Sequence, residues 1–221
     1  MERGQILLKG FFVLFVTYAL IVALRLVFGV SPSESAYPFL LPWVLSLPQL
    51  ALVVFVWQIC VRSKSSWKSI GFCRPNLQAS YQLSLICVPF NLILAAAYAY
   101  GALRLGVDFL LTPTVPKDIL GDGWLVIVNL VAIVVWVPVV EEMFFRGFLL
   151  KTMLERHTVY VAIPASSLLF ALLHGHLGLI VPVLLSSIVI SLLYIHTRSL
   201  LPPILAHSTQ NLVVSVVAAS A

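Results

Sequence analysis

Seven runs of apolar residues, most of them long enough to cross a bilayer as a helix, make up most of this 221-residue chain. They cover approximately residues 6–29, 38–61, 80–103, 124–150, 160–175, 178–196 and 201–219. Hydrophobic residues are 61% and charged residues 10% of the chain, a composition outside the range of soluble domains. Backbone polar groups inside a bilayer must be paired within the protein, which helices achieve on their own. The pattern predicts an all-α, polytopic transmembrane bundle of about seven spans, or eight if a half-helix inserts near the fourth run. Residues 1–221 would form a single integral membrane domain.

The charged residues between the runs predict the orientation of the chain. Residues 62–76 carry four cations and no acid, whereas residues 104–122 carry three acids against two cations. Because cation-rich loops stay on the cytoplasmic side of a membrane, we expect the N-terminus inside and the C-terminus outside. The membrane would be the plasma membrane if the source is prokaryotic. The lipid bilayer is therefore an expected partner. A nucleic acid is not, because no cluster of basic and aromatic residues occurs on a soluble surface.

The fourth run contains three ionisable residues, Glu141, Glu142 and Arg146, in a segment that is otherwise almost wholly apolar. Such groups cost about 2.5–3.5 kcal/mol each at membrane depth on insertion scales, so they usually mark a functional site. Residues 123–156 would extend about 50 Å as one helix, too long to cross upright. Pro138 predicts a kink before the acids. We expect a broken helix with both acids in the first turn of its second half, where the dipole favours carboxylates.

Three pairs of residues stand four positions apart on separate predicted helices. The pairs are Glu142 with Arg146, Phe170 with His174, and His207 with Asn211. This spacing puts both members of a pair on one helix face. Glu141 points about 100° away from Glu142, so the two acids have different roles. An ion pair between Glu142 and Arg146 would leave Glu141 to face a cavity, where a carboxylate can act as a general base on water. Periodicity alone leaves open which acid is the base.

The ordered motifs E-E-x-x-x-R, F-x-x-x-H and H-x-x-x-N resemble those of the CAAX prenyl protease and bacteriocin-processing family (CPBP, or Abi) of intramembrane glutamate proteases. Here the motifs begin at Glu141, Phe170 and His207, and the resemblance covers about residues 124–215. It implies that this region is the catalytic core of an intramembrane endopeptidase. The substrate would be a peptide or a lipidated protein, and the site would open toward the cytoplasmic side.

The same resemblance implies a role for each motif residue. Glu141, together with His174, would activate a water molecule for attack on a peptide carbonyl. His207 and Asn211 would donate hydrogen bonds to the developing oxyanion. The residues that organise the site would be Glu142, Arg146 and Phe170.

Alternatives to this interpretation concern the cofactor and the function. The expectation is no cofactor, with a metal ion as the open alternative, because His-Glu-x-x-His is absent and the acids and histidines need not be ligands. A non-catalytic scaffold, immunity or regulatory protein of the same family is one rival function. It has no need for His207 and Asn211 together. The other is a small proton-coupled transporter with Glu141 as its proton site, for which inverted repeats are lacking. The oligomeric state is not predicted.

Overall fold

Helices form nearly all of the structure, a computed structural model that describes residues 3–28, 40–62, 66–75, 79–113, 115 and 117–220. The described residues form seven helices: α1 (Arg3–Phe28), α2 (Leu41–Arg62), α3 (Ala79–Leu105), α4 (Leu125–Leu154), α5 (Val159–Leu172), α6 (Leu177–Thr197) and α7 (Leu201–Ser220). None of these residues lies in a strand. The all-α prediction is confirmed, and each predicted apolar run corresponds to one helix.

Five of the described helices, α1, α2, α3, α4 and α6, are long and apolar enough to cross a membrane. α5 is apolar but has only 14 residues. α7 has 20 residues, but polar side chains occupy its middle, from His207 to Asn211. Large apolar side chains such as Phe15, Leu26 and Leu103 are exposed on α1 and α3, as expected for helices that face lipid. By length and composition, the structure supports five of the seven predicted spans.

The fourth helix is continuous from Leu125 to Leu154, so the break expected at Pro138 does not occur. Two π-helical stretches, Val131–Trp136 and Met143–Leu150, lie on either side of a short α-helical segment that carries both acids. A π-helical turn is wider than an α-helical turn and absorbs an irregularity without ending the helix. The two acids therefore lie in the middle of a long helix. The expected stabilisation by a helix N-terminus does not apply to them.

Packing divides the chain into two compact units. The first consists of Met1–Ser66, Val115–Phe144 and Asn211–Ala221, and the second of Trp67–Thr114 and Phe145–Gln210. In the first unit, α1 packs against α2. The indole Nε1 of Trp43 on α2 donates a hydrogen bond to the carbonyl of Val128 on α4 at 2.9 Å. These contacts attach the start of α4 to α2.

In the second unit, α6 packs against both α5 and α3. A buried apolar cluster holds the end of the α4 helix against α5, α6 and the start of α7. Its fully buried members are Leu150, Ala162, Ile163, Tyr194 and Leu200. The buried serines of α6 allow close helix approach, since small residues let backbones come together in membrane proteins.

Gly178 in the first turn of α6 makes one of the closest backbone approaches in the second unit. The Leu111 carbonyl lies so near that an added Cβ would overlap it. We expect Gly178→Ala to lower the free energy of unfolding by about 1–3 kcal/mol, because the backbone has to move. Gly101→Ala in α3 is the control: its Cβ would meet no atom within 4 Å, so the variant should be neutral or slightly stabilising. Thermal unfolding in detergent compares them, and equal midpoints would contradict the prediction.

Candidate active site

Glu141 makes a buried hydrogen bond in the first unit. Its side chain is 6% exposed, and its Oε1 accepts a hydrogen bond from Nε2 of Gln49 at 3.2 Å. Gln49 is itself 5% exposed and ends a tight 3₁₀ turn, Leu47–Gln49, inside α2. Its Oε1 has no hydrogen-bond partner among the described residues. Gln49 thus fixes one oxygen of the carboxylate and carries a buried acceptor beside it. Gln49 belongs to none of the sequence motifs, although a glutamine inside an apolar run was a usable signal.

Glu142 and Arg146 are almost completely removed from solvent, with exposed fractions of 0% and 1%. Burying a charge is costly unless it is paired and hydrogen-bonded, so both positions are under strong structural constraint. Glu142 belongs to the first unit and Arg146 to the second. The predicted ion pair between these two side chains stays a prediction.

Asn211 also belongs to the first unit, and its position follows from the irregularity of α4. The N–H of Val137 bonds to the carbonyl of Ala132, five residues back. Continuing this pattern, the carbonyl of Ile133 would accept from residue 138, but Pro138 has no N–H. Asn211 supplies the donor instead, with its Nδ2 at 3.0 Å from the Ile133 carbonyl. One N–H of the amide is used in this way, and Nδ2 carries a second.

Arg146 in the second unit is held by α6 and α5. Its Nη2 donates hydrogen bonds to the carbonyl and the hydroxyl of Ser187 on α6, at 3.0 and 2.8 Å. The guanidinium carbon lies 5.0 Å from the ring centroid of Phe170 on α5, a cation–π distance. Ser187 is not part of any motif identified in the sequence. A small hydroxyl residue in an apolar helix gives no indication of which distant side chain it binds.

Phe170 is the ring on which residues of three helices converge. Its centroid lies 4.9 Å from that of His174, 6.0 Å from that of His207 on α7, and 4.8 Å from that of Phe145 on α4. Arg146 also contacts this ring, so members of all three predicted motifs meet in the second unit. All of them except His174 are buried. The arrangement brings two imidazole side chains to one aromatic ring.

The end of α5 fixes the tautomer of His174. The last carbonyls of a helix lack intrahelical donors. Here the backbone N–H of His174 donates a hydrogen bond to the carbonyl of Ala171. The ring Nδ1 of His174 lies 2.9 Å from the carbonyl of Phe170. A carbonyl can only accept, so Nδ1 is the donor of this hydrogen bond, and in the neutral ring Nε2 then carries the lone pair. Gly175 follows with φ of +70°, the conformation that commonly ends a helix.

Comparison with known protein families matches residues 123–213 to the family described as Type II CAAX prenyl endopeptidase Rce1-like. These residues belong to that family. No curated protein and no solved structure gives a significant match to the chain. The Rce1-like region runs from just before α4 to the second half of α7, and so contains every motif residue. It agrees closely with the predicted region, and the recognised family is confirmed. Residues 123–213 therefore form a domain of the CAAX protease family, and the five long apolar helices indicate a helical membrane protein.

Gln210 provides a further polar contact in the Rce1-like region that the sequence did not reveal. Its Oε1 accepts hydrogen bonds from Nδ2 of Asn91 on α3 and from the hydroxyl of Ser186 on α6, both at 3.1 Å. Gln210 stands three residues after His207, so the two share a helix face. These bonds attach α7 to α3 and α6.

The chemistry available to the Rce1-like region is proton transfer and hydrogen bonding to a developing charge. A buried carboxylate can accept a proton, an imidazole can accept or donate one, and an amide N–H can stabilise an oxyanion. The described residues contain no group of three or more His, Cys, Asp or Glu side chains arranged to hold a metal ion.

Proposed function

We propose that this protein is an intramembrane endopeptidase that hydrolyses a peptide bond with water activated by Glu141. The observation that carries the proposal is the convergence of Arg146, His174 and His207 on the ring of Phe170. Arg146 lies on α4, His174 in the turn after α5 and His207 on α7, and each belongs to a different motif of the family. If each side chain had only its own structural role, two histidines and an arginine would not be expected around one ring in an apolar bundle.

The proposed reaction begins when Glu141 takes a proton from water, with His174 assisting through Nε2. The resulting hydroxide attacks the peptide carbonyl carbon and forms a tetrahedral intermediate. His207 and Asn211 donate hydrogen bonds to the oxyanion. The intermediate collapses, the C–N bond breaks, and the proton passes to the leaving amine. The products are a new carboxylate and a new amine, so the reaction consumes one water and needs no other reactant.

Gln49 is proposed as a positioning residue for the Glu141 carboxylate, because it donates a hydrogen bond to Oε1 from a tight turn. Hydrogen bonds to charged groups contribute roughly 1.5–3 kcal/mol. We expect Gln49→Leu to lower kcat about 10- to 100-fold with KM within about twofold. Gln58→Leu is the matched control, since Gln58 is exposed on the same helix and should leave kcat unchanged. This role would be contradicted if Gln49→Leu changes KM and leaves kcat unchanged, or if it only lowers the yield of folded protein.

The substrate and the membrane arrangement follow from the family and the charge pattern. We propose a peptide or lipidated-protein substrate, seven spans in one membrane domain, and a cytoplasmic N-terminus with the site opening to that side. Five long apolar helices support the spans. The four cations between residues 62 and 76 support the orientation.

Proteolysis by the purified protein in liposomes tests the proposed function. A quenched prenylated peptide and a panel of membrane-anchored peptides would be offered with and without a chelator. Cleavage that persists with chelator supports a glutamate-activated water, whereas chelator-sensitive cleavage would contradict it and favour a metal. Binding of the peptides without cleavage would instead favour a scaffold or regulatory protein.

A further inference from the structure

A cavity of about 300 Å³ in the second unit lies away from the motif residues. Three cations, Lys68, Lys151 and Arg198, line it together with the apolar side chains of Leu154 and Ile195. Among the described residues that line it, none is acidic. Three cations around one cavity attract an anion. The cavity therefore has the chemistry of an anion site.

The backbone holds these cations around the cavity. Lys151 at the end of α4 donates a hydrogen bond to the Ser69 carbonyl, which connects the loop before α3 to α4. Gly147 lets that loop approach: an added Cβ would lie 2.9 Å from the Ile70 carbonyl. The loop carrying Lys68 thus packs directly on α4.

A second set of bonds holds Arg198 to the same loop. Arg198 ends α6 with φ of +52°, and its carbonyl accepts a hydrogen bond from Cys73 Sγ at 3.5 Å. The N–H of Leu200 donates to the Gly71 carbonyl at 2.8 Å. Lys68 and Arg198 are therefore carried by segments that are hydrogen-bonded to each other, and the backbone holds their exposed side chains beside one cavity.

We propose that this cavity binds a phosphate group, carried by an anionic phospholipid or by a phosphorylated solute. Lysine and arginine form strong charge-assisted hydrogen bonds with phosphate oxygens. Basic pockets at the ends of membrane helices bind lipid headgroups, and apolar walls such as Leu154 suit the adjoining glycerol and acyl carbons. Trp67, 40% exposed in the same loop, is the type of residue found at the level of the headgroups.

Binding of phosphatidylglycerol, glycerol phosphate and inorganic phosphate to the purified protein in neutral detergent tests the proposal. We expect Lys68→Gln, Lys151→Gln and Arg198→Gln each to weaken binding about fivefold. Arg156→Gln is the matched control: it removes an exposed cation just beyond α4 that does not line the cavity, and it should change affinity less than twofold. No catalytic residue is altered, so the result is independent of peptide cleavage.

The three ligands distinguish the carrier. Tighter binding of phosphatidylglycerol than of both soluble ligands assigns the site to a lipid headgroup, and equal binding assigns it to the phosphate group alone. Either result supports the proposal. It would be overturned if none of the three ligands binds, if the three cavity variants bind like wild type, or if Arg156→Gln weakens binding as much as they do.

Discussion

Glu141→Gln is expected to lower kcat for peptide cleavage by about 10²- to 10⁴-fold while KM stays within about twofold. The amide has the size of the carboxylate, and its oxygen can still accept the hydrogen bond from Gln49. It cannot take a proton from water. The substitution therefore removes the base and leaves the packing around α4 nearly unchanged. Steady-state kinetics on a quenched peptide in liposomes, with folding checked by thermal unfolding, measures the effect.

Glu142→Gln is the matched control, because it makes the same change one residue away. Glu142 is completely buried and is proposed to organise the site, so we expect a lower unfolding midpoint and a smaller loss of kcat. The comparison also decides between the two acids. If Glu142→Gln abolishes cleavage in a stable protein while Glu141→Gln does not, the assignment of the base is wrong.

The positions of the helices could be predicted because each apolar run has a length set by the bilayer and ends at charged or turn residues. The run 80–103, for example, became Ala79–Leu105. The interior of α4 could not be predicted in the same way. A proline normally ends or kinks a helix, because it removes a backbone donor. In α4 a wider turn and the side chain of Asn211, distant in sequence, compensate for that loss.

In the candidate site too, contacts set by local helix geometry could be predicted, and contacts between distant parts of the chain could not. Four-residue spacing predicted that Phe170 and His174 share a face, and their rings are in contact, because this relation is set by local helix geometry. Gln49 and Ser187 were missed, because their partners lie 92 and 41 positions away along the chain. Only tertiary packing creates those hydrogen bonds. The roles of the motif residues came from the family resemblance and stay proposals.

Asn211→Ala is expected to have the second large effect, lowering kcat about 10²- to 10³-fold through loss of an oxyanion donor. It should also lower the free energy of unfolding by about 1–3 kcal/mol, because the Ile133 carbonyl loses its partner. Gln210→Ala is the control for the structural part. Gln210 is one residue before Asn211, and its replacement removes hydrogen bonds with Asn91 and Ser186. The variant should therefore be less stable, with kcat within a few-fold of wild type.

A second substitution separates the two effects of Asn211→Ala. Adding Pro138→Ala restores a backbone N–H at residue 138, which can donate to the Ile133 carbonyl in place of the missing amide. The double variant should therefore recover part of the lost stability while kcat stays low, because no new donor reaches the oxyanion. Unfolding midpoints and kcat measured on the same preparations give the comparison. If kcat recovers together with stability, Asn211 acts only by supporting α4, and its proposed catalytic role is wrong.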